Sequence, residues 1–172
     1  MWLLMGERLK TQDKLKPWDM RANPALKCLL CNDCMDSHAH LFFECAYSTN
    51  VWNKVLRNTH LSLVSNEWKR CRDLLTPVAG RISARVVVTK LCYSATVYHI
   101  WQERNTRVFK GSPKIEPQLY EMIRSIVRLK LMSIRFKPSS FVNQLKADWQ
   151  YASSRDAIQN LFMGSHVGRD DG

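Results

Sequence analysis

The chain has 172 residues, of which 45% are hydrophobic and 24% are charged, and these proportions are typical of a single globular domain. This composition excludes a wholly disordered chain, a collagen-like fibre and a mucin-like stalk. Lysine and arginine number 26 against 15 acidic residues, and the resulting net charge of +11 is a clear excess of positive charge.

The first 45 residues divide into two parts with different expected structure. Residues 1–20 carry scattered apolar positions between charges, which is typical of short helices, with Thr11 as a helix cap and Pro17 as a stop. Residues 21–45 hold four of the six cysteines and show no clear periodicity. We therefore expect an irregular loop there, which something other than an apolar core must hold in place.

A helical pattern begins at Ser48 and continues, with interruptions, to Trp149. Apolar residues that recur every three or four positions predict a helix after Ser48, a second over 66–75, a long one over 81–109, an amphipathic one over 119–134 and a short one over 141–149. The apolar stripe expected on the long helix comprises Val88, Leu91, Cys92, Ala95, Tyr98 and Trp101. The polar tail from Ser153 is predicted to be disordered.

Four residues of the loop have the spacing of a metal site. Cys28 and Cys31 form a C-x2-C pair, and His40 and Cys45 extend it to C-x2-C-x8-H-x4-C. Three thiolates and one imidazole suit tetrahedral zinc better than magnesium or calcium. Because four protein ligands leave no position for a catalytic water, the expected cofactor is one structural Zn²⁺ ion.

The same cysteines admit other interpretations. A C-x-x-C pair can be redox-active, but that requires a strand followed by a helix, which the surrounding sequence does not predict. Buried free cysteines are a second alternative, although four within 18 residues are hard to obtain from packing alone. Cys34 or His38 could also replace one of the four ligands, but we expect that neither residue binds the metal.

Three segments of this region carry a family resemblance. They are RLKTQDKL (8–15), CLLC (28–31) and SHAHLFFECAYSTNVWNKVL (37–56), and they resemble the zinc-binding region of plant LINE-type (non-LTR) retrotransposon reverse transcriptases. The resemblance places that family's metal positions on Cys28, Cys31, His40 and Cys45, and its tryptophan on Trp52.

A fourth segment, YHIWQERNTRVFKG (98–111), resembles the Ile-Trp-x-x-Arg-Asn-x-x-x-Phe segment that often follows this region in the same polyproteins. The chain lacks the Tyr/Phe-x-Asp-Asp signature of polymerases, and after Lys137 it has four acidic residues in a segment without a strand pattern. RNase H chemistry needs several carboxylates around two metal ions. The resemblance therefore implies an accessory module from a retrotransposon fragment, and not an enzyme.

The positive charge is concentrated between residues 69 and 137, which hold 15 basic residues against four acids. Such residues bind phosphates regardless of sequence, and aromatic residues beside them can stack on bases, so we expect sequence-independent binding of RNA or DNA. The candidate contacts are Arg70, Arg72, Arg104, Arg107, Lys110, Arg124, Arg128 and Lys130. Charge alone is equally compatible with solvated helix faces. Trp101 and Phe109 flank two of the candidates, and core packing is our favoured role for both.

These features predict a mainly α protein with a zinc-stabilised N-terminal hook followed by a small helical bundle. We divide it into a zinc-binding module (1–60), a basic helical region (61–150) and a disordered tail (151–172). No apolar run approaches the ~20 residues that cross a bilayer, and the sequence predicts no secretory signal, so we expect a nuclear or cytoplasmic protein without membrane contacts. The alternatives to nucleic-acid binding are a structural or protein-interaction zinc module and a retrotransposon remnant without function. The oligomeric state stays open.

Overall fold

The computed structural model describes Thr11 and residues 27–57, 83–109 and 111–151. Within these ranges the chain is mainly helical and has no strands, so the predicted fold class is confirmed. A π-helical turn, His40–Glu44, precedes four α-helices, which we number α1 (Ala46–Arg57), α2 (Ala84–Val108), α3 (Glu116–Ser133) and α4 (Ser140–Trp149).

Four of the predicted helices correspond to α1–α4, with boundaries that differ by up to three residues. The helix predicted over 66–75, the short helices before Pro17 and the tail from Ser153 lie outside the described residues. In the described part of the chain, no helix combines the length and the apolar character that crossing a membrane requires.

Side-chain caps fix where three of the helices begin. Ser83 and Ser139 precede α2 and α4, and each hydroxyl accepts a hydrogen bond from the backbone N–H three residues on, at 3.3 and 3.2 Å. At the start of α3 the Gln118 amide oxygen reaches back to the N–H of Ile115 at 3.1 Å. These bonds satisfy donors that a helix start leaves without an intrahelical partner.

One apolar core joins the hook, which comprises residues 27–45, to all four helices. The helix α3 packs against both α1 and α2, and α4 packs against α2. Trp52 on α1 meets Tyr93 on α2 edge-on, with ring centroids 5.7 Å apart, and Trp149 on α4 is buried in the same cluster. The core therefore contains residues from both sides of the module boundary drawn at residue 60.

The buried face of α2 differs from the predicted apolar stripe. Val88 and Cys92 are buried as expected, but Tyr98 is 56% exposed. The helix instead buries a row of polar residues, which includes Thr89, Thr96, His99, Glu103 and Arg104. The two threonine hydroxyls each donate to a backbone carbonyl one turn earlier at 2.8 Å, and Glu103 and Arg104 form ion pairs. Polar residues with such partners can be buried, so apolar spacing alone misplaces this face.

Truncating Ile123 tests the assignment of the α3 core face. Its side chain is fully buried, so we expect Ile123→Ala to lower the free energy of unfolding by about 2–5 kcal/mol, through lost burial and the cavity left behind. Urea denaturation followed by circular dichroism measures this change. Leu129→Ala is the control on the same helix, because Leu129 is 67% exposed and its truncation should cost less than about 0.5 kcal/mol. Equal losses for the two variants would contradict the orientation of α3.

Candidate metal centre

The C-x2-C pair lies on a tight backbone turn. An antiparallel bridge joins Lys27 to Met35, and the N–H of Cys28 donates to the carbonyl of Cys34 at 2.8 Å. Within this loop Asn32 has φ of 59°, a left-handed conformation that asparagine tolerates better than most residues. The turn brings both thiols of the pair into one cluster.

The π-helical turn supplies the remaining two side chains. It begins at His40, whose N–H donates to the Ser37 hydroxyl at 3.1 Å, and closes where the N–H of Cys45 donates to the His40 carbonyl at 2.7 Å. In an α-helix, side chains five positions apart would diverge by about 140°, because each residue advances about 100°. The wider i→i+5 closure reduces this divergence, so His40 and Cys45 both reach the C-x2-C turn.

The four candidate ligand atoms all lie within 4.8 Å of one another. The sulfurs of Cys28 and Cys45 are 3.9 Å apart, and Cys31 Sγ lies 3.3 Å from His40 Nε2. Around a tetrahedral zinc ion with ordinary Zn–S bonds, two thiolate sulfurs are separated by about 3.8 Å. The donor set and its spacing therefore fit zinc, and three sulfur donors disfavour magnesium and calcium.

The two buried thiols of this cluster have opposite pKa shifts. The pKa of Cys28 is raised, first because its thiol donates to Cys45 and then because it is buried. The pKa of Cys45 is lowered because its sulfur accepts that hydrogen bond. Zinc binds thiolates, so a metal ion that binds both sulfurs must displace the proton that the two thiols share.

Cys34 and His38, the two alternative ligands, lie outside the four-residue cluster. Cys34 is exposed, and its thiol is not among the clustered atoms. His38 is buried against Phe42, with the rings edge-on and their centroids 5.1 Å apart. Phe42 is itself buried and belongs to the apolar core, whereas Phe43 is only partly buried and packs against that core.

The structure separates the predicted phosphate contacts into three groups. Those outside the described residues are Arg70, Arg72 and Lys110. Those on α3 are Arg124, Arg128 and Lys130, of which the last two are exposed. Arg104 and Arg107 point into the fold, where protein groups pair with both guanidinium groups. Phe109, expected in the core, is instead 82% exposed. Trp101 is partly buried, and the centre of its ring lies 5.2 Å from the Arg104 guanidinium carbon.

Two acidic residues that the sequence did not single out form buried ion pairs with arginines of α2. Asp36 of the hook pairs with Arg104 at 2.7 Å, and both side chains are at most 5% exposed. Glu103 is buried and accepts from Arg107 Nε at 2.9 Å. Nearby, burial and then the charge of Glu103 raise the pKa of Tyr47 to about 12. In the sequence, the one indication of the Asp36–Arg104 pair was the resemblance over 98–111, since that motif contains Arg104.

Comparison with known proteins agrees with the geometry of the hook. Neither the curated proteins nor the solved structures contain a match to this chain. A family match covers all four clustered side chains and extends into α1, where it ends at the buried Trp52. Residues 1–52 match the protein family described as zinc-binding in reverse transcriptase, which confirms the resemblance to reverse transcriptases over that segment.

Proposed function

We propose that this chain is a non-catalytic module that holds one structural zinc ion and binds RNA or DNA without reading its sequence. The observation that carries the proposal is the cluster of Cys28, Cys31, His40 and Cys45, in a segment that matches a zinc-binding family of reverse transcriptases. Bound zinc would hold the hook in the conformation that packs on α1 and α2. The family is described from reverse transcriptases, which act on nucleic acid, and this supports RNA or DNA as the partner.

The ligand set supports a structural role for zinc. Catalytic zinc sites keep a position open for water or substrate, whereas four protein ligands close the tetrahedron. Two of the thiols, Cys28 and Cys45, are fully buried, which keeps solvent away from the cluster. This arrangement suits an ion that stabilises the fold, and we therefore propose a binding role for the chain and no reaction.

The charge distribution supports nucleic acid as the partner. The segment from Arg124 to Lys137 contains five basic residues and no acid. Arg128 and Lys130 are exposed on α3, and Arg135 and Lys137 are exposed in the connection to α4. Exposed cations along one segment can follow a phosphate backbone and release its counterions, which gives affinity without base recognition.

The sequence resemblance also supports a more specific origin. The segments 8–15, 37–56 and 98–111 together favour a plant LINE-type, non-LTR retrotransposon polyprotein as the source of the module. In such a polyprotein a zinc-stabilised, basic region would position the nucleic acid for a separate polymerase. A chain of this origin would act in the nucleus or the cytoplasm.

Titration of labelled single-stranded RNA across a salt series tests nucleic-acid binding. We expect the logarithm of the affinity of the zinc-loaded protein to fall linearly with the logarithm of salt concentration, and chelation of zinc to weaken binding. Arg128→Ala should reduce the slope by about one, as for loss of one phosphate contact. Arg57→Ala removes an exposed charge from the end of α1 and should leave the slope unchanged.

Two results would count against nucleic-acid binding. Weak binding that chelation does not alter would show only a basic surface that acts independently of the fold, and it would favour the protein-interaction or remnant alternatives. Equal effects of Arg128→Ala and Arg57→Ala would show that α3 has no special role in the contact.

A further inference from the structure

We propose that Arg107, on α2, is a positioning residue of the metal centre: its guanidinium binds both carbonyls between Cys28 and Cys31 and thereby fixes the backbone turn that presents these two ligands. This inference rests on the proposed zinc site and adds to it a residue far outside the matched segment 1–52.

The first step is the contact between Arg107 and the turn. Arg107 Nη1 donates to the carbonyl oxygen of Leu29 at 2.9 Å and to that of Leu30 at 3.0 Å. These are the two residues between Cys28 and Cys31, so one nitrogen of the guanidinium binds both carbonyls inside the C-x2-C pair. Hydrogen bonds from a charged donor are stronger than those between neutral groups.

The second step concerns the opposite edges of the same peptide groups. In a trans peptide group the C=O and the N–H point in opposite directions, and the described residues contain no cis peptide bond. The peptide groups whose carbonyls face Arg107 therefore carry the N–H groups of Leu30 and Cys31. These two N–H groups therefore point away from the guanidinium. The hydrogen bonds of Arg107 thus fix the planes of both peptide groups between Cys28 and Cys31.

The third step is that the guanidinium is itself fixed. Its Nε donates to Glu103 at 2.9 Å, and its Nη2 donates to the Lys114 carbonyl at 2.9 Å. Its carbon lies 4.8 Å from the centre of the Tyr47 ring. Glu103 is held in turn, because the same carboxylate oxygen accepts from the Lys114 N–H at 2.8 Å. All three guanidinium nitrogens have partners, and a lysine could not reproduce this planar set of donors.

A positive charge held at the carbonyl edges stabilises one orientation of the two peptide dipoles. The backbone between Cys28 and Cys31 is thus held in the conformation that brings both thiols into the cluster. Partners that orient a metal ligand in this way typically contribute 10- to 100-fold to metal affinity. Helix α2 therefore supports the metal centre through Arg107, and the connection to α3 does so through the Lys114 carbonyl that binds Arg107.

Zinc affinity of the 172-residue chain, measured by competition with a chromophoric chelator, tests this role. We expect Arg107→Met to weaken zinc affinity about 10- to 100-fold and to shift the thiolate charge-transfer band of the cobalt-substituted protein. Arg107→Lys should recover part of the affinity, since an ammonium group can still donate to one carbonyl. Ile123→Ala is the control for general destabilisation, because it removes a fully buried core side chain on α3 and leaves Arg107 and its hydrogen-bond partners unchanged.

The outcomes separate this inference from the proposed function. Wild-type protein that binds no zinc would overturn both. Zinc-binding wild type with an Arg107→Met variant of similar affinity and unchanged cobalt spectrum would overturn the positioning role alone. Equal losses of zinc affinity in Arg107→Met and Ile123→Ala would also overturn it, because they would indicate general destabilisation. Should Arg107→Met fail to fold, Arg107→Lys decides the matter: wild-type affinity and spectrum would contradict the role, and a weakened, spectrally shifted site would support it.

Discussion

Replacing Cys45 with alanine is expected to remove zinc from the protein and to unfold the hook. Cys45 is fully buried, its sulfur lies 3.9 Å from that of Cys28, and it joins the π-helical turn to α1. In small zinc domains the apparent binding free energy is about 10–16 kcal/mol, and it is folding free energy because the unfolded chain has no formed site. Loss of one of four ligands should therefore eliminate most of the stability of residues 27–45.

Zinc stoichiometry and thermal unfolding, measured on the same samples, check this expectation. Chelation of the wild-type protein should reproduce the melting behaviour of Cys45→Ala. Cys34→Ala is the matched control, since that thiol is exposed and outside the cluster, and we expect it to keep both zinc and melting temperature. A Cys45→Ala protein with full zinc and unchanged melting would show that the ligand set is wrong.

The candidate ligands could be predicted from sequence because their relation is local. The thiols of Cys28 and Cys31 lie on one turn, and the two remaining ligands of a tetrahedral site follow within the same short loop. The π-helical turn was not predictable in the same way, since no residue pattern distinguishes it from an α-helical turn. Its role, to bring His40 and Cys45 together, becomes visible only in the backbone hydrogen bonds.

The charged residues of α2 show the limit of sequence reasoning. Arg104 and Arg107 contribute to the basic stretch, and composition cannot tell a solvated arginine from one that pairs inside the fold. The partner of Arg104 is Asp36, which lies 68 positions earlier in the chain. Pairing over such a separation depends on how the hook packs on α2, and a single sequence does not contain that information. The exposed cations of α3 were easier to place, because α3 follows a regular amphipathic pattern.

Breaking the ion pair between Asp36 and Arg104 is expected to destabilise the protein by about 3–5 kcal/mol. The two side chains are 0% and 5% exposed and lie 2.7 Å apart, so loss of the carboxylate in Asp36→Leu leaves a buried guanidinium without its counter-charge. Arginine stays protonated at any accessible pH and cannot relieve this cost by neutralisation. Urea denaturation at pH 7 measures the loss.

A double-mutant cycle separates the pair from the rest of the fold. We expect Asp36→Leu combined with Arg104→Met to regain much of the stability lost in either single variant, because the double variant buries no charge and keeps similar volume. The control is Arg124→Ala, which breaks a partly exposed pair with Glu121 at 3.7 Å and should cost less than about 1 kcal/mol. Losses that simply add would show that Asp36 and Arg104 act independently, and the hook would then be held to α2 by its apolar contacts and by Arg107.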